Sequence, residues 1–311
     1  MTRIVFMGSP DFAVPSLKAL ARAHRVVGVV TQPDRPAGRG SLLRPPSVKV
    51  VAQALGLPLY QPRSLRDPEA QDHLTAWGPE VIVVAAFGQI LPPAVLDLPP
   101  HGCVNLHASL LPRWRGAAPI AAAILAGDEI TGVTVMRMDA GVDTGPILAR
   151  REEPIRPDDT TDTLSERLAR LAADLIVETL PPYLAGALLP QPQPEEGVTH
   201  CRMLKKEDGW LDWTRPAVEL DRRVRAMTPW PGAFTTWWGQ RLKVLRAIPL
   251  PDWRGSESPG TVIPLGDGAA VVTGEGALRL LEVQRAGKKA LPIAAFLHGR
   301  PDFLGAVLGE R

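Results

Sequence analysis

The 311-residue sequence predicts an α/β chain with two folded regions. Residues 1–185 read as a doubly wound, mostly parallel, Rossmann-like sheet, and residues 207–311 as a smaller OB-like β-barrel, with a linker over 186–206. Three observations carry this. Runs such as 26–30 and 81–86 are apolar at every position, as strands covered by helices on both faces require. They alternate with segments of helical spacing, the pattern of βαβ units. Beyond residue 206 the pattern changes to short apolar runs split by glycine turns.

The elements follow in order. Residues 3–7 are the first strand, and after the turn Gly8-Ser9-Pro10-Asp11 either Asp11 or Ser9 caps a helix running to about residue 23. Strands at 26–30, 81–86 and 102–107 are separated by helices at 48–55 and 67–77. Residues 117–125 are helical, and 132–138 and 146–154 are strands. The longest helix is 162–185, where Leu164, Leu168, Leu171, Leu175 and Ile176 recur at helical spacing. In the connector 186–197, Pro190, Pro192 and Pro194 alternate with Gln191 and Gln193, a semi-extended segment. A helix at 216–227 then precedes five strand-like runs, 233–238, 241–248, 260–264, 269–273 and 277–284, with turns such as Gly266-Asp267-Gly268 between them.

Composition narrows the function classes. The formal net charge is only +2, so the chain is no polycation, and nucleic-acid contact must come from local patches. No apolar run approaches the roughly 20 residues that cross a bilayer, so no membrane association is expected. The start reads as a strand rather than as the apolar core of a signal peptide. Cys103 and Cys201 form neither a metal spacing nor a redox pair. A cytoplasmic, metal-free monomer is the expectation. With 28 Arg against 7 Lys, 33 Pro and a single Asn, the composition resembles that of a thermophile.

That single asparagine, Asn105, opens the run Asn105-Leu106-His107-Ala108-Ser109-Leu110-Leu111-Pro112-Arg113-Trp114-Arg115-Gly116. In an extended strand, residues i and i+2 share a face, so Asn105 and His107 can aim at one substrate atom. Acyl transfer needs a donor for a developing oxyanion, a proton carrier and a group that holds the carrier in place. Asn105 and His107 suit the first two roles. Asp143, between Gly141 and Gly145 on a loop joining two strands, suits the third. Ser109 reads as a turn hydroxyl. No Gly-x-Ser-x-Gly elbow occurs, and no covalent nucleophile is indicated.

The whole string, with Ala117-Ala118-Pro119-Ile120, Gly132-Val133-Thr134 and Asp143-Thr144-Gly145, resembles the 10-formyltetrahydrofolate-dependent formyltransferase family, nearly end to end. Thr31-Gln32-Pro33-Asp34-Arg35-Pro36-Ala37-Gly38-Arg39-Gly40 and Pro112-Arg113-Trp114-Arg115-Gly116 narrow the likeness to members that use initiator methionyl-tRNA. The resemblance implies formyl transfer from 10-formyltetrahydrofolate to the α-amine of the esterified methionine, for translation initiation. It assigns Asn105, His107 and Asp143 as the catalytic trio. It implies that Phe87, Gly88, Gln89, Ile90 and Leu91 wall the pteridine, largely through backbone groups, and that Ser109, Leu110, Leu111 and Pro112 line the donor site. Two departures stand out: Ala108 replaces a frequent glycine, and Ser41-Leu42-Leu43 replaces frequent lysines.

Residues 32–49 form a long basic segment with Arg35, Arg39, Arg44 and Lys49, of the kind that orders on nucleic acid. In the family this loop inserts at the tRNA acceptor end, and Arg39 is the foremost contact expected. The second region would hold the tRNA body, with Arg222, Arg223, Arg225, Arg241, Lys243, Lys288 and Lys289 as phosphate contacts. Trp210, Trp213, Trp230, Trp237 and Trp238 serve either base stacking or core packing. Two alternatives remain at this point: formylation of a small amine such as an amino-sugar, and a non-catalytic RNA-binding protein on the same scaffold.

Overall fold

The computed structural model describes residues 2–37 and 42–310. The chain forms two compact units. The first comprises Met1–Pro119, Ile130–Pro154 and Ser165–Cys201; the second comprises Ile120–Glu129, Ile155–Leu164 and Arg202–Arg311.

Among the described residues, the first unit is built on a seven-stranded sheet. Its strands are β1 (Arg3–Gly8), β2 (Arg25–Val30), β3 (Leu59–Tyr60), β4 (Val81–Ala85), β5 (Cys103–His107), β6 (Ile130–Arg137) and β7 (Ile147–Pro154). They lie in the order β7-β6-β5-β4-β1-β2-β3. The five strands from β3 to β5 are mutually parallel, and β6 and β7 extend the sheet antiparallel. Strands β1 and β4 are buried throughout their apolar runs, which is why their sequences do not alternate. Gly28 in β2 leaves room for an indole: a Cβ there would lie 2.2 Å from the ring of Trp77, on the helix Pro68–Trp77. The chain reverses its direction of travel across the sheet between β1 and β4. In open α/β sheets, ligands bind beyond the strand ends at such a point.

Two local expectations are corrected. Neither Ser9 nor Asp11 caps the first helix; a 3-10 turn at Asp11–Ala13 leads into Val14–Ala23 without a side-chain cap. The Ser9 hydroxyl instead donates to the Phe87 carbonyl at 3.1 Å and accepts the Gln32 N–H at 3.2 Å, stitching the ends of β1, β2 and β4. The segment 32–49 is not structureless. Arg35–Ala37 pairs with Leu42–Arg44 as a small hairpin, and a helix occupies Ser47–Ala54.

The second unit contains the helix Ala217–Ala226 and, among the described residues, a six-stranded antiparallel sheet that curls into a half-barrel. Its longest strand, Gln240–Leu250, pairs with Ala277–Arg285 through register shifts between Val244 and Ala247. Such bulges bend a strand and increase its twist. The helix Ile293–Gly299, absent from the sequence expectation, covers one end. Its Phe296 packs edge-on against Phe303 and Trp237. At seven residues between Pro292 and Pro301, it is too short for a periodicity to stand out.

No helix among the described residues is long and apolar enough to cross a membrane, and no group of His, Cys, Asp and Glu there is arranged to hold a metal ion. Burial pushes the Cys103 thiol up to about 12 and raises that of Cys201, where the charge of Asp143 adds to the effect. Thiolate is the reactive form. Both cysteines should therefore resist a maleimide in the native protein at pH 8 and react at once in denaturant. Native-state labelling of Cys103 as fast as in denaturant would contradict the burial.

Candidate active site

The site is assembled at the ends of β4 and β5 by three chain segments. Asn105 and His107 stand two apart on β5 and therefore share a face. Asp143 comes from the loop between β6 and β7. Its carboxylate lies 3.4 Å from the Asn105 amide nitrogen and 3.6 Å from His107 Nδ1. The third segment follows β5. There the Gly116 N–H donates to the second Asp143 oxygen at 2.9 Å, and the Trp114 carbonyl lies 2.9 Å from His107 Nε2. A carbonyl and a carboxylate only accept, so each ring nitrogen faces an acceptor, Nε2 the Trp114 carbonyl and Nδ1 Asp143. The contacts of Asp143 with Asn105 and His107 are longer than good hydrogen bonds. Catalytic contacts are commonly loose without ligand and tighten around the reacting atoms.

Backbone strain gathers at this place. Ala86, Trp114 and Asp143 all have positive φ, at 47°, 62° and 54°. Non-glycine residues adopt this conformation at a cost of roughly 1–3 kcal/mol, and they cluster where geometry matters more than ease. Ala86 follows β4, Trp114 presents the carbonyl to His107, and Asp143 presents the carboxylate. His107 is 6% exposed, so solvent competes little for its ring.

Sequence reasoning missed four groups here. Gln193 donates to the carbonyls of Asp143 and Gly145, both at 2.8 Å, and accepts Arg115 Nε and Nη2 at 3.0 and 2.7 Å. The Thr199 hydroxyl accepts the Trp114 N–H at 2.8 Å. The Trp114 carbonyl and the Gly116 N–H are backbone groups that no side-chain pattern reveals. The run Trp114-Arg115-Gly116 was a visible motif. Gln193 and Thr199 lie roughly 80 residues beyond it, and nothing local marked them.

The residues expected to wall the donor divide between buried side chains and exposed positions. Phe87 and Leu91 are buried in the hydrophobic core. Gln89 is turned inward, accepting the Leu65 N–H and donating to the Pro62 carbonyl. Ser109, Leu111 and Pro112 are buried too. The Ser109 hydroxyl donates to the Arg113 carbonyl at 2.5 Å, and its own carbonyl accepts Thr134 Oγ1 at 2.7 Å. Leu110 is half-buried. These side chains are engaged within the fold, and the Ser109 hydroxyl makes a turn contact. Gly88, at φ 84° with an added Cβ 3.8 Å from the Gln32 amide nitrogen, and Ile90, 76% exposed, are the two that face outward. Val142, 65% exposed, adds an apolar side chain on the Asp143 loop. Exposed backbone flanked by apolar side chains fits a flat heteroaromatic ring such as a pteridine.

The basic residues divide sharply. Arg35 and Arg44 are exposed and directly paired across the hairpin, Arg35 also donating to Gln32. Arg39 lies outside the described residues. Lys49 is committed to Asp34 at 2.8 Å; hydrogen bonds from Gln61 and then Lys49 hold the Asp34 carboxyl below its ordinary range.

In the second unit, Arg222 lies flat against Gly127, and Arg223 donates to the Asp208 carbonyl. Arg225 pairs with Asp221, Arg241 covers the Phe234 ring at 3.5 Å, and Lys243 packs beside Gly232. Lys288 and Lys289 are exposed and, with Arg285 and Arg300, border a hollow of about 310 Å3. Trp213 and Trp237 are core residues, whereas Trp230 and Trp238 are exposed.

Known proteins agree with this architecture. The formyl transferase profile matches residues 2–180, and that of the formyl transferase C-terminal domain matches residues 203–301. The methionyl-tRNA formyltransferase of Myxococcus xanthus is 52% identical, covering 96% of this chain and 95% of its own. That of Ruegeria pomeroyi is 51% identical over 96% of this chain and 97% of its own. Among solved structures, the sugar 3N-formyl transferase WlaRD superposes with a TM-score of 0.67 at 16% identity, covering 93% of this chain and 99% of that one. At that identity the likeness speaks for the fold alone. On the matches across both its regions, the chain belongs to the formyl transferase family.

Proposed function

We propose that this chain transfers the formyl group of 10-formyltetrahydrofolate to the α-amine of initiator methionyl-tRNA, as a cytoplasmic monomer. Residues 1–185 carry the catalysis; residues 207–311, joined through 186–206, hold the tRNA. The observation that carries the reading is the convergence of Asn105, His107 and Asp143, with the carboxylate 3.4 and 3.6 Å from the other two. Full-length relatives at about half identity that bear this activity in their names support the substrates.

When bound, the folate supplies an N-linked formyl carbon open to attack by an amine. The amine needs little activation: a free α-amino group titrates near ~8, and esterification removes the neighbouring carboxylate. Asn105 offers a neutral N–H whose donor character does not vary with pH, suited to an oxygen on which negative charge builds. His107 turns Nε2 to the Trp114 carbonyl and Nδ1 toward Asp143. Asp143 fixes the ring's rotation and offsets positive charge on it.

The RNA side rests on two features. Arg35 and Arg44 oppose each other across a hairpin. Like charges directly opposite are destabilising, and a phosphate between them would relieve the repulsion. Lys288 and Lys289 add exposed cations on the second unit. Single-turnover transfer to charged initiator tRNA tests the whole reading. Formylation of a small amine with none of the tRNA would overturn it. In the same assay, Lys288→Ala combined with Lys289→Ala should weaken tRNA binding about tenfold and reduce the slope of log affinity against log salt by about two. An unaltered slope would remove these lysines from the interface.

A further inference from the structure

We infer that Gln193 is a positioning residue for the Asp143 carboxylate, so that the proline-rich connector is part of the catalytic machinery. This rests on the function proposed above. The connector reads in sequence as a spacer, yet Gln193 ties the backbone of the Asp143 loop to the Arg115 side chain.

The hydrogen-bond count is complete. A glutamine amide has two N–H donors and a carbonyl oxygen with two lone pairs. Both donor contacts are made, to the carbonyls of Asp143 and Gly145. Both acceptor contacts are made, to Nε and Nη2 of Arg115. On one side the amide grips the loop that carries the carboxylate. On the other it grips the residue between Trp114, whose carbonyl meets His107, and Gly116, whose N–H meets Asp143. All four contacts that shape the site thus involve a residue that Gln193 holds or its immediate neighbour.

The Asp143 loop needs such a tie. Asp143 sits at φ 54° between Gly141 and Gly145, and Val142 beside it is largely exposed. Glycine-flanked backbone has many accessible conformations; Asp139 holds the loop from within through the Gly141 N–H and the Thr144 hydroxyl, and Gln193 adds a tie from outside. The connector is suited to selecting it. Pro194 restricts the residue before it to extended backbone, and Pro192 fixes its own φ. Gln191 anchors the approach by exchanging backbone hydrogen bonds with Ile147 at 2.7 and 2.8 Å. His200–Cys201 anchors the exit by pairing with Arg115–Gly116. The side chain of Gln193 is therefore delivered with little freedom left to lose.

The decisive substitution is Gln193→Glu. It keeps the length and the acceptors for Arg115 but places a carboxylate oxygen against the carbonyls of Asp143 and Gly145. Gln193→Ala removes the tie altogether. Each is measured by single-turnover formyl transfer to methionyl-tRNA, alone and in an Asp143→Ala background, with thermal melts alongside. The expected result is a 10- to 100-fold loss of rate for Gln193→Glu, with affinities for both substrates within about twofold of the parent. In the Asp143→Ala background the same change should produce no further loss, because groups acting as one unit are non-additive.

Equal fractional losses in both backgrounds would overturn the inference, as would a wild-type rate in Gln193→Glu. Should Gln193→Ala fail to fold, Gln193→Glu still decides. Unfolding of both would assign Gln193 to stability alone and also overturn the inference. The parent protein serves as the control for the function itself: if it formylates a different amine, the cycle is run on that amine, and if it transfers no formyl group at all, the functional reading fails first.

Discussion

Replacing Asn105 by alanine should lower the single-turnover rate about 100- to 1,000-fold while leaving affinity for both substrates nearly unchanged. The magnitude is that of removing one preorganised donor from an oxyanion site. The fold should survive. Asn105 makes one long side-chain contact among the described residues, the 3.4 Å approach to Asp143, so little native-state energy is lost. Its second N–H remains for a ligand, and that is where the rate effect arises. Asn105→Asp sharpens the test. It preserves shape but removes both N–H donors and places a second carboxylate beside Asp143, so its rate should fall at least as far as that of alanine. A rate within threefold of wild type in either variant would show that the carboxamide does not meet developing charge.

Gly116→Ala should be among the most damaging single-methyl additions in the first unit. At φ 117° an added Cβ would stand 2.0 Å from the backbone oxygen of Cys201, far inside any tolerated contact. The backbone must move, and three things move with it. The pairing of Arg115–Gly116 with His200–Cys201 opens, the N–H leaves Asp143, and Trp114 shifts beneath His107. Strain of this kind plus lost hydrogen bonds amounts to about 3 kcal/mol or more. For a region of this size that lowers the melting temperature by about 6–12 °C. Gly56→Ala is the control. Gly56 also has positive φ, 65°, but nothing lies within 4 Å of an added Cβ, so only the conformational penalty of about 1 kcal/mol applies. Melting curves and rates for both variants separate the cases. Equal effects would mean that the close approach of Cys201 is not what requires glycine.

Much of this site was legible before any coordinates. The pairing of Asn105 with His107 follows from the two-residue period of a strand, which is local geometry. Asp143 was marked by flanking glycines on a loop between two strands. The ion pair of Lys49 was not legible, because its partner, Asp34, lies 15 residues away across a hairpin whose pairing the sequence did not announce. Ser9 looked like a helix cap by position, yet its hydroxyl found the Phe87 carbonyl 78 residues on. The side-chain partners of Gln89 and Ser109, the Leu65 N–H, the Pro62 carbonyl and the Arg113 carbonyl, were not legible either.

What the sequence alone determined is the alternation of strands and helices, the change to an antiparallel sheet after the connector, and the identities of three polar groups suited to formyl transfer. Those properties depend on periodicity and chemistry within short windows. What only the tertiary structure decided is the partner of each hydrogen-bonding group: Gln193 on the Asp143 loop, Trp114 on His107, Lys49 on Asp34. A buried donor or acceptor must be paired, but many partners satisfy it equally well. Which one does so depends on how strands far apart in the chain come to lie side by side.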